Sequence, residues 1–115
     1  MKLELDFTPP STNSVYRKRG AGYGMFMTEE GQQFKQVVGL LARAKWGSKP
    51  SKKSITMRVV LQFSDKRRRD VDGFHKLLQD ALQGIVYEND SQIISLHIEK
   101  TTGDTPKTFV ELTEC

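Results

Sequence analysis

The sequence predicts a single α/β (α+β) domain over residues 1–115, with the order β-α-β-α-β-β, a mixed sheet and helices packed on one face. Three observations predict it. Apolar residues alternate over 2–7 (KLELDF) and over 54–63 (SITMRVVLQF), the two-residue period of half-buried strands. They recur at helical spacing in two other places, at Phe34, Val37, Val38 and Leu41, and at Phe74, Leu77, Leu78, Ala81, Leu82 and Ile85. Between these segments lie stretches rich in Gly, Pro, Ser and Lys that end one element before the next begins.

The first strand places Leu3, Leu5 and Phe7 on one face. TPPSTNSVYRKRGAGYG follows and is a loop by composition, longer than most connections and so a place to look for function. Thr28 before Glu29 and Glu30 marks a helix start, because a hydroxyl caps and acids favour the first turn. That helix runs to about Trp46 and is broken by GSKPSKKS. The second strand turns Ile55, Met57, Val59, Leu61 and Phe63 to one side. SDKRRR is a turn, and a second helix is expected from about Asp70 to Gly84. VYENDSQ is a short acidic loop, IISLHIEK and TFVELT are strands, and TGDTPK between them is a turn.

Charge is divided along the chain. Residues 17–69 hold 14 Lys/Arg and 3 Asp/Glu, and the remainder holds 4 and 11. A basic half beside an acidic half suits a polyanion surface next to a cation site, although a solvated basic face has the same composition. Cys115 is the only cysteine, so no disulfide forms within one chain. No apolar run approaches the ~20 residues of a membrane span, and MKLELDFTPP does not read as a signal peptide. A cytoplasmic protein without a membrane partner is expected.

Asp70, Asp72 and Asp90 are the best candidates for chemistry. Asp70 and Asp72 flank the expected helix start, and Asp90 lies in the loop leading into the third long strand. If that strand pairs near the second one, its leading loop comes back toward the helix start. Three carboxylates would then make a hard-oxygen site for Mg²⁺ or Mn²⁺. Asp70 and Asp72 have a plainer explanation: Asp is a favoured N-cap and a favoured first-turn residue. Lys76 follows Asp72 by four residues and Asp80 follows Lys76 by four, which reads equally as a helix-surface ladder of ion pairs or as a cation beside a scissile phosphate. Cations at Arg17, Lys18 and Arg19 among Tyr16 and Tyr23, and the run Lys66, Arg67, Arg68, Arg69, suit phosphate contacts and stacking. His75 and His97 have no zinc spacing, and GAGYG lacks the strand–helix context of a nucleotide loop.

RRRDVDGFHKLLQDALQGIVYENDSQI, residues 67–93, resembles the signature of the RusA family of crossover-junction endodeoxyribonucleases. That signature is roughly Asp-x-Asp-Asn-x-x-Lys, then Asp-Ala-Leu, then Asp-Asp-x-Gln-Ile. Asp70, Asp72 and Lys76 match the first part, Asp80-Ala81-Leu82 the second, and Asp90, Gln92 and Ile93 the third. Pro9-Pro10-Ser11-x-Asn13-x-x-Tyr16-Arg17 is similar to the family's N-terminal motif, and Glu30-Gly31-Gln32 fits the start of its first helix. Two positions depart: Gly73 stands where the family usually has Asn, and Asn89 replaces the first Asp of the acidic pair. The resemblance implies a homodimer that binds four-way (Holliday) junctions in recombination and repair and nicks two opposed strands symmetrically. It implies Mg²⁺ or Mn²⁺ held by Asp70, Asp72 and Asp90, assistance from Lys76, products with 5′-phosphates, and a phage or prophage source. Asn13, Tyr16, Arg17, Lys18, Arg19 and Lys66 to Arg69 would hold the DNA. The competing expectations are a branched-DNA-binding protein without cleavage, a nuclease of broader branched-DNA range, and a protein whose Asp–Lys ladder is only surface charge.

Overall fold

The structure is a computed structural model that describes residues 1–11, 15–18 and 25–115, and only the backbone at 16–18 and 25–26. Among the described residues the strands and longer helices run in the order β1 (Lys2–Leu5), β2 (Tyr16–Lys18), β3 (Met25–Met27), α1 (Glu29–Trp46), β4 (Ile55–Phe63), α2 (Lys76–Leu82), β5 (Ile93–Thr102) and β6 (Lys107–Glu114). Four strands form one mixed sheet in the order β1-β6-β4-β5. β4 and β5 run parallel, as a strand–helix–strand crossover requires, and the other pairs are antiparallel. Both helices lie on one face. The α/β (α+β) expectation therefore holds, with one addition: β2 and β3 pair as a short antiparallel hairpin within the stretch read as loop.

The alternation of β4 is realised in full. Ile55, Met57, Val59, Leu61 and Phe63 are all buried, and Thr56, Arg58, Val60 and Gln62 face away from them. Leu3 and Leu5 from β1, with Val110 and Leu112 from β6, complete the sheet's contribution to the core. Leu77, Leu78, Ala81 and Leu82 from α2 cover it.

α1 begins and ends on the expected signals. The Thr28 hydroxyl accepts the Gly31 N–H, and Gly47 closes the helix in the left-handed region at φ 63°. Its buried face differs from the one expected. Phe34 and Val38 are buried, but Val37 and Leu41 are 44% and 42% exposed. The helix is turned to bring Gly39 and Ala42 inward, because their small side chains permit close approach to α2. A Cβ at Gly39 would lie 3.2 Å from the Ile85 Cδ1.

The second helix starts later than expected. Val71–Gly73 is a single 3-10 turn, and regular α-helix begins only at Lys76. Gly73 disfavours helix at this point, and the Asp70 side chain makes no capping hydrogen bond. Gly84, at φ 84°, follows the helix end. The strands on either side of TGDTPK are not neighbours. β6 lies between β1 and β4, so residues 103–106 cross the end of β4, where the Gln62 amide donates to the Thr105 carbonyl at 2.7 Å.

Candidate active site

A cavity of about 890 Å³ opens beyond the C-terminal end of β4. Thr8 to Ser11, after β1, form one side, and Glu30 projects from the first turn of α1. The remaining wall is the connection from β4 to α2, which contributes Arg67, Arg68, Arg69, Asp70, Asp72, His75 and Lys76. The fold thus brings together two parts of the sequence that the motif analysis treated separately, Pro9-Pro10-Ser11 and the Asp70–Lys76 segment. Asp70, Asp72 and Lys76 are exposed to the cavity. α2 does not contain Asp72, so Asp72 and Lys76 are not one turn apart on a helix. Only Lys76 and Asp80 retain the i,i+4 relation of the expected ladder.

The cationic turn divides into two functions. Arg69 is only 18% exposed at its side chain. Its guanidinium donates to both carboxylate oxygens of Asp65, at 2.8 and 3.4 Å, and stacks over the Phe63 ring at 4.2 Å. Asp65 also accepts the Arg67 backbone N–H, and the Lys100 ammonium on β5 donates to the Arg69 carbonyl. These contacts fasten the turn to the sheet and make Arg69 its anchor. Lys66, Arg67 and Arg68 are exposed on the resulting surface. Arg69 was expected among the DNA contacts; in this structure its guanidinium is engaged within the chain.

The Arg69 hydrogen bond, then the Arg67 backbone donor, hold the Asp65 carboxyl at about 2, below its ordinary value of 3.8. Because the folded value is the lower one, the clasp's contribution is complete above the ordinary value and is lost as the pH falls through about 2. A side-chain carboxyl NMR titration should show Asp65 still ionised at pH 3, and Arg69→Ala should raise its midpoint toward the ordinary value, the Arg67 backbone donor remaining in place.

Asp90 stands elsewhere. It begins a 3-10 turn (Asp90–Gln92) that leads into β5. Because β5 is parallel to β4, its start lies beside the start of β4, whereas Asp70 follows the end of β4. From Ile93 to Lys100, the residue that reaches Arg69, is roughly 23 Å of strand. The expected return of this loop to the start of the second helix does not occur within one chain. Among the described residues no three acids, histidines or cysteines are grouped to hold a metal ion.

The Asp90 turn is held firmly nonetheless. Its backbone N–H donates to the Gln83 side-chain oxygen at 2.9 Å. The Gln92 amide donates to the carbonyls of Ser51 and Lys53, and its oxygen accepts the Asn89 N–H. Asn89 caps the turn by accepting the Ser91 N–H at 2.9 Å, which an Asp side chain does equally well. The departure at Asn89 therefore keeps the turn intact. Tyr87 is buried beneath, with its hydroxyl donating to the Gln79 carbonyl at 2.6 Å. Burial first, and then the charges of Asp90 and Asp80, push its ionisation far above the ordinary tyrosine range.

Three neighbours of the site were not singled out for it from sequence. Glu30 lines the cavity, though its position in a first turn explained it fully. His75, considered from sequence only as lacking zinc spacing, lines it too, and its ring donates from Nδ1 to the Gln79 side-chain oxygen at 2.9 Å. Lys100 lies in a strand with nothing to mark it. At Gly73 φ is not positive and an added Cβ would meet no atom within 4 Å, so the family's Asn would be accommodated without strain. Asn13 and Arg19 fall outside the described residues, and for Tyr16, Arg17 and Lys18 the structure gives the backbone of β2 alone.

The family model for the endodeoxyribonuclease RusA matches residues 6–113, nearly the whole chain. The chain belongs to the RusA family. A crossover junction endodeoxyribonuclease RusA of Enterobacteria phage HK97 is 30% identical over 84 residues, covering 73% of this chain and 68% of that relative. The RusA match takes in every element from the Pro9-Pro10-Ser11 side of the cavity to β6, and so includes both carboxylate-bearing turns. No helix among the described residues is long and apolar enough to cross a membrane.

Proposed function

We propose that this RusA-family protein is a Mg²⁺- or Mn²⁺-dependent endodeoxyribonuclease that resolves four-way DNA junctions as a homodimer, by paired nicks that leave 5′-phosphates. The observation that carries the reading is the single cavity in which Asp70, Asp72 and Lys76 meet Arg67 and Arg68. Mg²⁺ is commonly held by one or two carboxylates with water and substrate phosphate completing its shell. Asp70 and Asp72, both exposed and on one turn, fit that donor set. When bound, such an ion activates water and offsets charge on the phosphate. The chain's own residues do the rest. Lys66, Arg67 and Arg68 bind the phosphate backbone, the Asp65–Arg69 clasp holds them at a fixed height, and Lys76 places a positive charge beside the scissile phosphate.

Asp90 has its place in this scheme through the second copy. One chain keeps it at the opposite end of β5 from Asp70 and Asp72, so a homodimer that crosses these ends supplies the third carboxylate from the partner. The separation also supports a second reading, a branched-DNA-binding protein without cleavage. Incubation of the full chain with a labelled four-way junction and with linear duplex, each with and without Mg²⁺, decides between them. Paired nicks only with junction and Mg²⁺ are expected. Junction binding without any metal-dependent nick establishes the second reading instead.

A further inference from the structure

We infer that the connection from Gly47 to Ser54 is a second DNA-binding surface, whose Lys49, Lys52 and Lys53 hold the phosphate backbone beside the Asp90 turn. This rests on the junction-cleaving reading above and adds a surface at the other end of β4 from Arg67 and Arg68.

GSKPSKKS joins α1 to β4 and contains three lysines and no acid. All three lysines are exposed, and no acidic side chain pairs with them among the described residues. Arg43 and Lys45, in the last turn of α1, are accounted for by the partial negative charge at a helix C-terminus. The loop lysines lie beyond that turn and have no such structural explanation.

A lysine-rich connection is ordinarily a solvated one, ordered by nothing. Here the backbone is fastened along its length. The Trp46 indole N–H donates to the Lys49 carbonyl at 2.9 Å. Ser51 is buried: its N–H donates to the Val86 carbonyl and its own carbonyl accepts the Glu88 N–H. The Ser51 hydroxyl donates to Glu114 Oε2 at 2.6 Å, and its oxygen accepts the Lys53 N–H at 3.1 Å. Lys52 and Lys53 thus stand on a backbone that is already ordered, while a carboxylate oxygen of the neighbouring Glu114 is engaged by Ser51. Binding a polyanion there costs the ordering of side chains alone.

The loop is also tied to the Asp90 turn. The Gln92 amide donates to the carbonyls of Ser51 and Lys53, both at 2.8 Å. Lys52, Lys53 and Asp90 therefore belong to one fastened unit at the start of β4 and β5. The nine residues of β4, roughly 26 Å of strand, separate it from the turn that bears Lys66, Arg67 and Arg68. Each group of carboxylates has its own cations. A phosphate that approaches Asp90 is repelled by the carboxylate, and lysines on the same unit offset that repulsion. In the homodimer proposed above, the Asp90 unit of one chain meets the Asp70–Asp72 turn of the other. The two cationic surfaces then hold one strand on either side of the nick.

The salt dependence of junction binding in Ca²⁺, read by fluorescence anisotropy of a labelled four-way junction, tests the surface. Each phosphate contact removed should flatten the log–log slope by about 0.9. Lys49→Gln, Lys52→Gln and Lys53→Gln combined should flatten it by about 2–3 and weaken binding most at low salt, with the far-ultraviolet spectrum unchanged. Lys2→Gln, Arg58→Gln and Lys107→Gln combined remove the same charge from the sheet face opposite the helices and should leave the slope as it is. An unchanged slope in the loop variant, or equal flattening by the sheet-face variant, overturns the loop surface and leaves the junction-cleaving reading standing. Failure of the unaltered protein to bind the junction overturns both.

Discussion

Asp70→Asn, Asp72→Asn and Asp90→Asn should each lower junction cleavage by orders of magnitude while the protein still binds the junction. Asn keeps the size of Asp but removes the anionic oxygen that a hard divalent ion needs. The Asp70 side chain caps nothing, and the contact that holds Asp90 in its turn comes from its backbone N–H. Binding should persist because Lys66, Arg67 and Arg68 are untouched and one negative charge near the phosphates is gone. Gel-shift affinity in Ca²⁺ and cleavage rate in Mg²⁺, measured on the same preparations, separate the two effects. Cleavage at the unaltered rate by all three variants removes the carboxylates from the chemistry.

Lys76→Met should show the next largest loss. Lys76 is the first residue of α2 and lines the cavity beside Asp72. As the positive charge at the scissile phosphate, its removal should slow the single-turnover rate by about 10²–10³, the scale for one preorganised electrostatic contact. Its i,i+4 relation to Asp80 is all that remains of the surface ladder, and such a pair is worth about 0.3 kcal/mol. The melting temperature should therefore barely move. A near-normal cleavage rate in a protein of unchanged stability assigns Lys76 to the helix surface and leaves the aspartates to carry the reaction.

Much of this fold was legible because local pattern and tertiary burial agree. Every second residue of β4 from Ile55 to Phe63 is apolar and every one is buried, and Thr28 and Gly47 bound α1 by their own backbone chemistry. The hydropathic stripe of α1 was less informative. Gly39 and Ala42 decide which side faces α2 by being small, and hydropathy does not register closeness of approach. The β2–β3 hairpin has three residues on each strand, too few to show a period in a stretch dominated by loop residues.

For the site, the limit was topology. Asp70, Asp72 and Lys76 are local to one turn, so their sequence spacing carries over into the cavity. Whether Asp90 joins them depends on strand direction. β6 fills the position between β1 and β4, β5 takes the other side of β4 in parallel, and Asp90 is carried to the far end. Periodicity within a segment contains nothing about the order in which segments pair. The family match spans all four residues, while the fold of one chain holds Asp90 apart from the other three.

Mixing two inactive variants tests this arrangement most directly. Asp70→Asn and Asp90→Asn chains should each be inactive alone. After unfolding together and refolding, a mixed dimer has one site in which both aspartates are replaced and one in which both are intact. Random association then restores about a quarter of the unaltered number of sites. Single-turnover cleavage of a labelled four-way junction in Mg²⁺ should recover to that level, with nicks on one strand per junction in place of the opposed pair. A mixture as inactive as its components, in which mass measurement shows that mixed dimers have formed, would contradict a site shared between two chains.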